Sequence, residues 1–203
     1  MTTHTTTAID RPTWVDLASR DPAGSRAFYS RVLGWQIRVS EDPQFGGYGL
    51  AMVGDGVAAG IGGQPQAGAP TAWSVYIGTP DADALAAKVT AAGGTVIVPP
   101  FSIGDQGSMA VFQDPAGAFI SCWEGAAMHG FESSEEPNTY AWAELNARSV
   151  EPAVRFYETV FGWTHTSMDI GEGQTHHTLQ DGDQPVAGAM EMNPMVPAEV
   201  PSY

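Results

Sequence analysis

The sequence predicts an α+β fold built from tandem strand–helix–strand–strand–strand (βαβββ) units, three of them in 203 residues. Two observations carry that prediction. The octapeptide at 28–35, Phe-Tyr-Ser-Arg-Val-Leu-Gly-Trp, returns at 156–163 as Phe-Tyr-Glu-Thr-Val-Phe-Gly-Trp, displaced by 128 residues. The same displacement sets Trp14 on Trp142, Asp16 on Glu144, Arg20 on Arg148 and Gly60 on Gly188, so a whole structural unit repeats. Between the two copies the same order of strand and helix signals runs through once more.

Residues 14–19 alternate in character and form the first strand. Asp21-Pro22 supplies an N-cap and a proline at the first helical position. Ala27, Phe28 and Val32 give that helix its apolar side, and Gly34 its left-handed stop. Extended segments follow at 35–39, 48–53 and 57–61, the last two joined by the hairpin signal Asp55-Gly56.

The second unit opens with a strand at 72–77 and a helix started by Thr79-Pro-Asp-Ala-Asp, with acid in its first turn. Leu85 and Val89 face inward from it, and it ends at Gly93-Gly94. A strand at 95–98 is stopped by Pro99-Pro100, and 108–113 with 119–124 make a hairpin across Asp114-Pro-Ala-Gly117. The expected division is a complete domain at 10–125, with units 10–65 and 70–125, then a linker at 126–139 rich in Ala, Gly, Ser, Glu and Pro. A single unpaired unit follows at 140–192, with a turn at Asp181-Gly182, and an irregular tail at 193–203. Residues 1–7 read as a short disordered tail.

Eight basic residues against 23 acidic ones give a formal charge of −15, which repels nucleic acid and anionic membranes. No apolar run is long enough to span a bilayer, and no signal peptide is recognisable at the N-terminus. Cys122 is the only cysteine, so no intramolecular disulfide forms and a cytoplasmic location is expected.

The set Arg20-Asp21, Arg26-Ala-Phe28-Tyr29 and Leu33-Gly34-Trp35, with the ending Phe112-Gln-Asp114-Pro115-Ala-Gly117-Ala-Phe119 and Trp123-Glu124, resembles the vicinal oxygen chelate superfamily. That superfamily includes glyoxalase I, extradiol dioxygenases and bleomycin-resistance proteins. More narrowly the chain is similar to two-domain actinobacterial members often labelled hydroxylase or glyoxalase-like, related to a mycobacterial antigen and here lacking the last module. The resemblance implies that two βαβββ modules form one cupped mixed sheet with a ligand inside. It also implies where a divalent metal ought to be held, by His, Gln or Glu on the first and last strands of each module. Those positions fall on Trp14, Gly60, Ser74 and Ser121, and on Trp142 and Gly188 in the third module. None is a strong ligand, and only Asp16 and Glu124 lie near enough to serve after a one-residue slip. No metal and no cofactor is therefore expected. His176 and His177 are set opposite Leu50 and Ala51 and read as surface residues.

By period-two alternation, Trp14 and Asp16 share a face, as do Ser74 and Tyr76, and Phe119, Ser121 and Trp123. With Met109 they make a candidate cup for a small, flat organic molecule. Asp16 is the candidate catalytic residue, since a carboxylate facing an apolar cup has a raised pKa and can act as acid or base. The expected function is metal-independent binding of an aromatic metabolite or antibiotic. The alternative is a metal-independent enzyme using Asp16, with a metal-dependent glyoxalase or dioxygenase behind both. The unpaired third unit exposes a sheet edge and predicts a homo-oligomer.

Overall fold

A computed structural model describes residues 6–171 and 173–203. The tail expected at the N-terminus therefore lies, for residues 1–5, outside the described residues. The elements in chain order are β1 (Pro12–Ser19), α1 (Pro22–Leu33), β2 (Gln36–Val39), β3 (Gly49–Val53), β4 (Gly56–Gly63), β5 (Ala72–Gly78), α2 (Ala82–Ala91), β6 (Thr95–Ser102), β7 (Gly107–Gln113) and β8 (Phe119–Gly125). After a long irregular connection come β9 (Glu144–Ala147), α3 (Val150–Phe161), β10 (Thr164–Gly171), β11 (Gln174–Asp181) and β12 (Gln184–Glu191).

The first eight strands form one sheet in the order β2-β3-β4-β1-β5-β8-β7-β6. Each half places its first strand beside its last, in parallel, and the halves meet where β1 and β5 run antiparallel. The remaining strands form a second sheet in the order β10-β11-β12-β9, the same order as one half of the first. The tandem βαβββ architecture expected from the repeat is present.

Local chemistry explains most element ends. The Asp21 carboxylate accepts from the Gly24 amide at 2.9 Å and starts α1, and Gly34 ends it in the left-handed region at φ 71°. Asp81 starts α2 in the same way, accepting from Ala84 N at 2.8 Å. One boundary departs from expectation: β6 continues through Pro99-Pro100 to Ser102. It is the outermost strand, where a missing N–H removes no ladder bond from a central position, and register shifts on either side of Val98 absorb the rings.

The two copies of the octapeptide differ in surroundings. In α3, Phe156, Tyr157, Val160 and Phe161 are buried with Leu85 and Val89 of α2 and Phe112 of β7 in a core shared between the second and third units. In α1 no residue is buried, and Phe28 and Val32 stand half or more exposed, so they do not form the inward side expected of them. Tyr29 and Leu33 are the α1 side chains that pack, against Trp35, Leu17 and Ile61.

The connection at 126–139 is a strap rather than a slack linker. Phe131 N donates to Thr13 O and Glu132 N to Val57 O, each at 2.8 Å. The Trp35 indole donates to Asn138 O at 2.7 Å, and the Trp123 indole to Met128 O at 2.8 Å. After β12 the chain folds back, and Tyr203 exchanges backbone hydrogen bonds with Asn146 on the outer side of β9. No helix among the described residues is long and apolar enough to cross a membrane.

Candidate ligand cup of the first sheet

The site is built on the seam between β1 and β5. Asp16 sits opposite Ser74 of β5 on one side and Gly60 of β4 on the other. Its carboxylate is the end of a short donor chain. The Trp14 indole donates to the Tyr48 hydroxyl at 3.2 Å, and that hydroxyl donates to Asp16 Oδ2 at 3.0 Å. The Tyr76 hydroxyl approaches both carboxylate oxygens at 3.2 Å. Tyr48 reaches Asp16 because β4 carries glycine beneath it: a Cβ at Gly60 would fall on the Tyr48 hydroxyl, and one at Gly62 on its ring.

Burial dominates the electrostatics. Loss of water around Asp16 pushes its pKa up to about 6, against the smaller opposing effect of the Tyr48 and Tyr76 hydrogen bonds. Both tyrosines are held well above the ordinary phenol value, first by burial and then by the adjacent carboxylate, so they remain neutral donors. Cys122 is buried behind the sheet and its thiol is pushed up to about 12 by burial, which leaves it inert.

Above this floor lies a cavity of about 530 Å³. Trp14, Asp16, Tyr48 and Tyr76 form its base, while Trp123, Met109, Leu50 and Ile103 form apolar walls. Arg38, Gln44 and Gln106 add polar groups, and Met128 enters from the strap. Of the residues expected from sequence, Trp14, Asp16, Tyr76, Met109 and Trp123 come together here. Ser74 lies opposite Asp16 and Ser121 beside Tyr76 in register, but neither lines the cavity, and Ser121 is buried. Phe119 is 60% exposed, at the far end of β8 from Trp123. Sharing a strand face is necessary for reaching the cup but not sufficient, because the cavity covers only part of each strand.

Sequence reasoning missed Tyr48, Arg38, Gln44 and Met128. Tyr48 had a signal, since it is two residues before Leu50 and 128 before His176. The pairing settles that equivalence: Gly60 faces Leu50 and Asp16, just as Gly188 faces Thr178 and Glu144. His176 therefore corresponds to Tyr48 and Thr178 to Leu50, so setting His176 against Leu50 was two residues out of register. The 128-residue displacement holds through both hairpins, since Val53 pairs with Gly56 as Asp181 pairs with Gln184.

The model of the Glyoxalase/Bleomycin resistance protein/Dioxygenase superfamily matches residues 11–122. The chain belongs to this superfamily. It is 38% identical over 184 residues to "Putative glyoxylase CFP32" of Mycobacterium tuberculosis, covering 89% of this chain and 70% of that protein. It is 36% identical over 195 residues to "Anthracycline biosynthesis protein DnrV" of Streptomyces peucetius, with the same coverage. In fold it is similar to a Mn(II)-bound glyoxalase from Novosphingobium aromaticivorans, at a TM-score of 0.63 and 17% identity over 90% of this chain. A halotolerant catechol dioxygenase, BphC, gives a TM-score of 0.63 at 16% identity. The chain spans 62% and 65% of those two structures, less than two thirds of their length.

Metal-using members of the glyoxalase superfamily need oxygen or nitrogen donors converging on one point. In this cup the inherited positions hold Trp14, Gly60, Ser74 and Ser121, and the Tyr48 phenol lies over the glycine. The one carboxylate, Asp16, is already engaged by two phenols. No group of three or more His, Cys, Asp or Glu suited to a metal ion occurs among the described residues. This donor set does not fit a divalent transition metal.

Proposed function

We propose that this glyoxalase-fold protein binds a small, flat aromatic metabolite or antibiotic in the cup of its first sheet, without a metal ion. The observation that carries the reading is the floor of the cup: a buried carboxylate with two phenol donors and an indole, beneath apolar walls. Such a surface stacks on a ring system and offers a hydrogen-bond acceptor to a ring hydroxyl. The likeness to a protein named for anthracycline biosynthesis supports the same ligand class, since anthracyclines are built on flat fused rings. The volume of about 530 Å³ is of the size of pockets for such molecules.

A second reading is favoured by one observation, the Asp16 pKa of about 6. A carboxylate poised there can take a proton from a ligand carbon or hydroxyl and return it, with the Tyr48 and Tyr76 hydroxyls stabilising the anion left behind. Two measurements test these readings. Metal analysis of protein purified without chelator is expected to find no stoichiometric divalent ion, and one full equivalent would overturn metal independence. A thermal-shift series with flat hydroxylated aromatics is expected to raise the melting temperature. Asp16→Asn separates the readings: unchanged binding with lost turnover supports the enzyme, whereas absence of turnover in the parent supports the binder.

A further inference from the structure

The cup of the first sheet carries opposite charges at its two ends. Asp16 lies on the floor at the seam, and Arg38 stands at the mouth on β2, the only lysine or arginine among the described residues lining the cavity. One row of pairings joins them across the sheet: Arg38 faces Leu50, Leu50 faces Gly60, and Gly60 faces Asp16. Residues in register point to the same face, so both head groups rise on the concave side. Between them lie Leu50 and a glycine overlaid by the Tyr48 phenol.

Arg38 is not committed within the fold. It makes no hydrogen bond or ion pair among the described residues, in a chain with 23 acids to 8 bases. Other cations are engaged: Arg11 with Asp181, Arg155 with Glu151, and Arg26 and Arg148 with backbone carbonyls. The acid four residues on, Asp42, caps the next turn and takes the Gln44 side chain at 2.7 Å. Solubility does not call for the charge, since a cation lowers the magnitude of a net −15. An unpaired guanidinium beside an apolar bed is half of a charge-assisted pair, which a ligand carboxylate completes in bidentate fashion.

We propose that the cup takes an aromatic acid, its rings on the floor and its carboxylate on Arg38. This rests on the ligand class proposed for the cup, and adds a charge and the place of that charge. Three strand spacings of about 4.8 Å set Arg38 about 14 Å from Asp16 along a flat sheet, and nearer on a curved one. A hydroxyl and a carboxylate at opposite ends of two fused rings lie about 8 Å apart, and a hydrogen bond of about 2.8 Å at each end brings the span to about 14 Å. The carboxylate therefore belongs at the far end of the rings from the group that meets Asp16. Beside Asp16 it would face a like charge.

Calorimetric titration of the full chain at neutral pH compares 6-hydroxy-2-naphthoate with 2-naphthol, which keeps the hydroxyl and lacks the acid. The acid is expected to bind about tenfold more tightly, the effect of one charge-assisted pair, and Arg38→Gln to bring the ratio to one or below. A ratio of two affinities cancels any change in the cup common to both probes. Arg38→Lys is expected to restore part of the preference. Arg31→Gln, which removes the same charge from the exposed last turn of α1, is expected to leave it intact. 3-Hydroxy-2-naphthoate, with its carboxylate beside the hydroxyl, is expected to gain nothing over 2-naphthol, and an equal gain there overturns the placement. Binding of 2-naphthol with no preference for the 6-hydroxy acid, or a preference that survives Arg38→Gln, overturns the role of Arg38 and leaves the cup standing. Failure of both probes to bind overturns the cup itself and this assignment with it.

Discussion

Replacing Asp16 by asparagine removes a charge that the fold buries at a cost, and the size of the effect follows from the site. The native carboxyl titrates at about 6 against an ordinary value of 3.8. A group whose pKa is raised on folding binds its proton more tightly in the native state. Its contribution to stability is therefore complete below about pH 3.8 and is lost as pH climbs through about 6. A shift of roughly two units, at about 1.36 kcal/mol each, amounts to about 3 kcal/mol. The asparagine variant does not titrate, so the stability of the wild type minus that of Asp16→Asn is expected to fall by about 3 kcal/mol between pH 4 and 7. It should then run flat. Taking the difference cancels the other acids of a chain with formal charge −15. Urea unfolding followed by tryptophan fluorescence at half-unit pH steps supplies the curve. A constant difference across that range, or a wild type that gains on the variant as pH rises, refutes the burial argument.

Other perturbations probe the same floor. Tyr48→Phe removes a hydrogen bond that holds the Asp16 pKa down, so carboxyl-carbon NMR should find Asp16 titrating above about 6; movement downward would contradict the assigned donor. Gly60→Ala places a methyl on the Tyr48 hydroxyl and is expected to cost about 1–3 kcal/mol in urea unfolding, while Gly63→Ala, whose methyl would meet only Pro22 at an ordinary contact of 4.0 Å, is expected to be near neutral. Equal effects at the two glycines would dismiss the cradle. Phe131→Ala removes a buried ring that packs on Trp14 and stacks on Tyr140; it is expected to cost about 3–5 kcal/mol and to weaken 2-naphthol binding in the first cup. Unaltered affinity in that variant would show that the strap does not shape the cavity.

Much of the fold was legible because caps and turn residues act locally. Asp21, Gly34 and Asp81 do in the structure what their chemistry predicts, and the 128-residue repeat sets the order of strands. The parts that were not legible depend on distant contacts. Nothing within Phe28-Tyr29 says that its helix lies open while Phe156-Tyr157 is buried, since the cover over α3 comes from α2, dozens of residues earlier. Period-two alternation found the right faces but not the right depth, which is why Phe119 joined Trp123 in the reading and parted from it in the structure. Tyr48 escaped because its counterpart in the repeat, His176, was set two residues away against Leu50, and Met128 because it lies in a segment whose composition reads as spacer.

The strap and the shared core around α3 bear on how the molecule comes apart. Tyr157 donates to Asp114 inside that core, Trp163 to Asp10 O at 2.8 Å, and Arg11 pairs with Asp181, so side chains of the third unit are tied to both halves of the first sheet. Unfolding the third unit alone would strip the cover from Leu85, Val89 and Phe112 and remove the Tyr157 hydrogen bond from Asp114. Melting is therefore expected to be cooperative across both sheets, with one calorimetric transition in place of two. A ligand seated in the cup would then protect amides of β10 to β12 from hydrogen exchange, although it touches none of them.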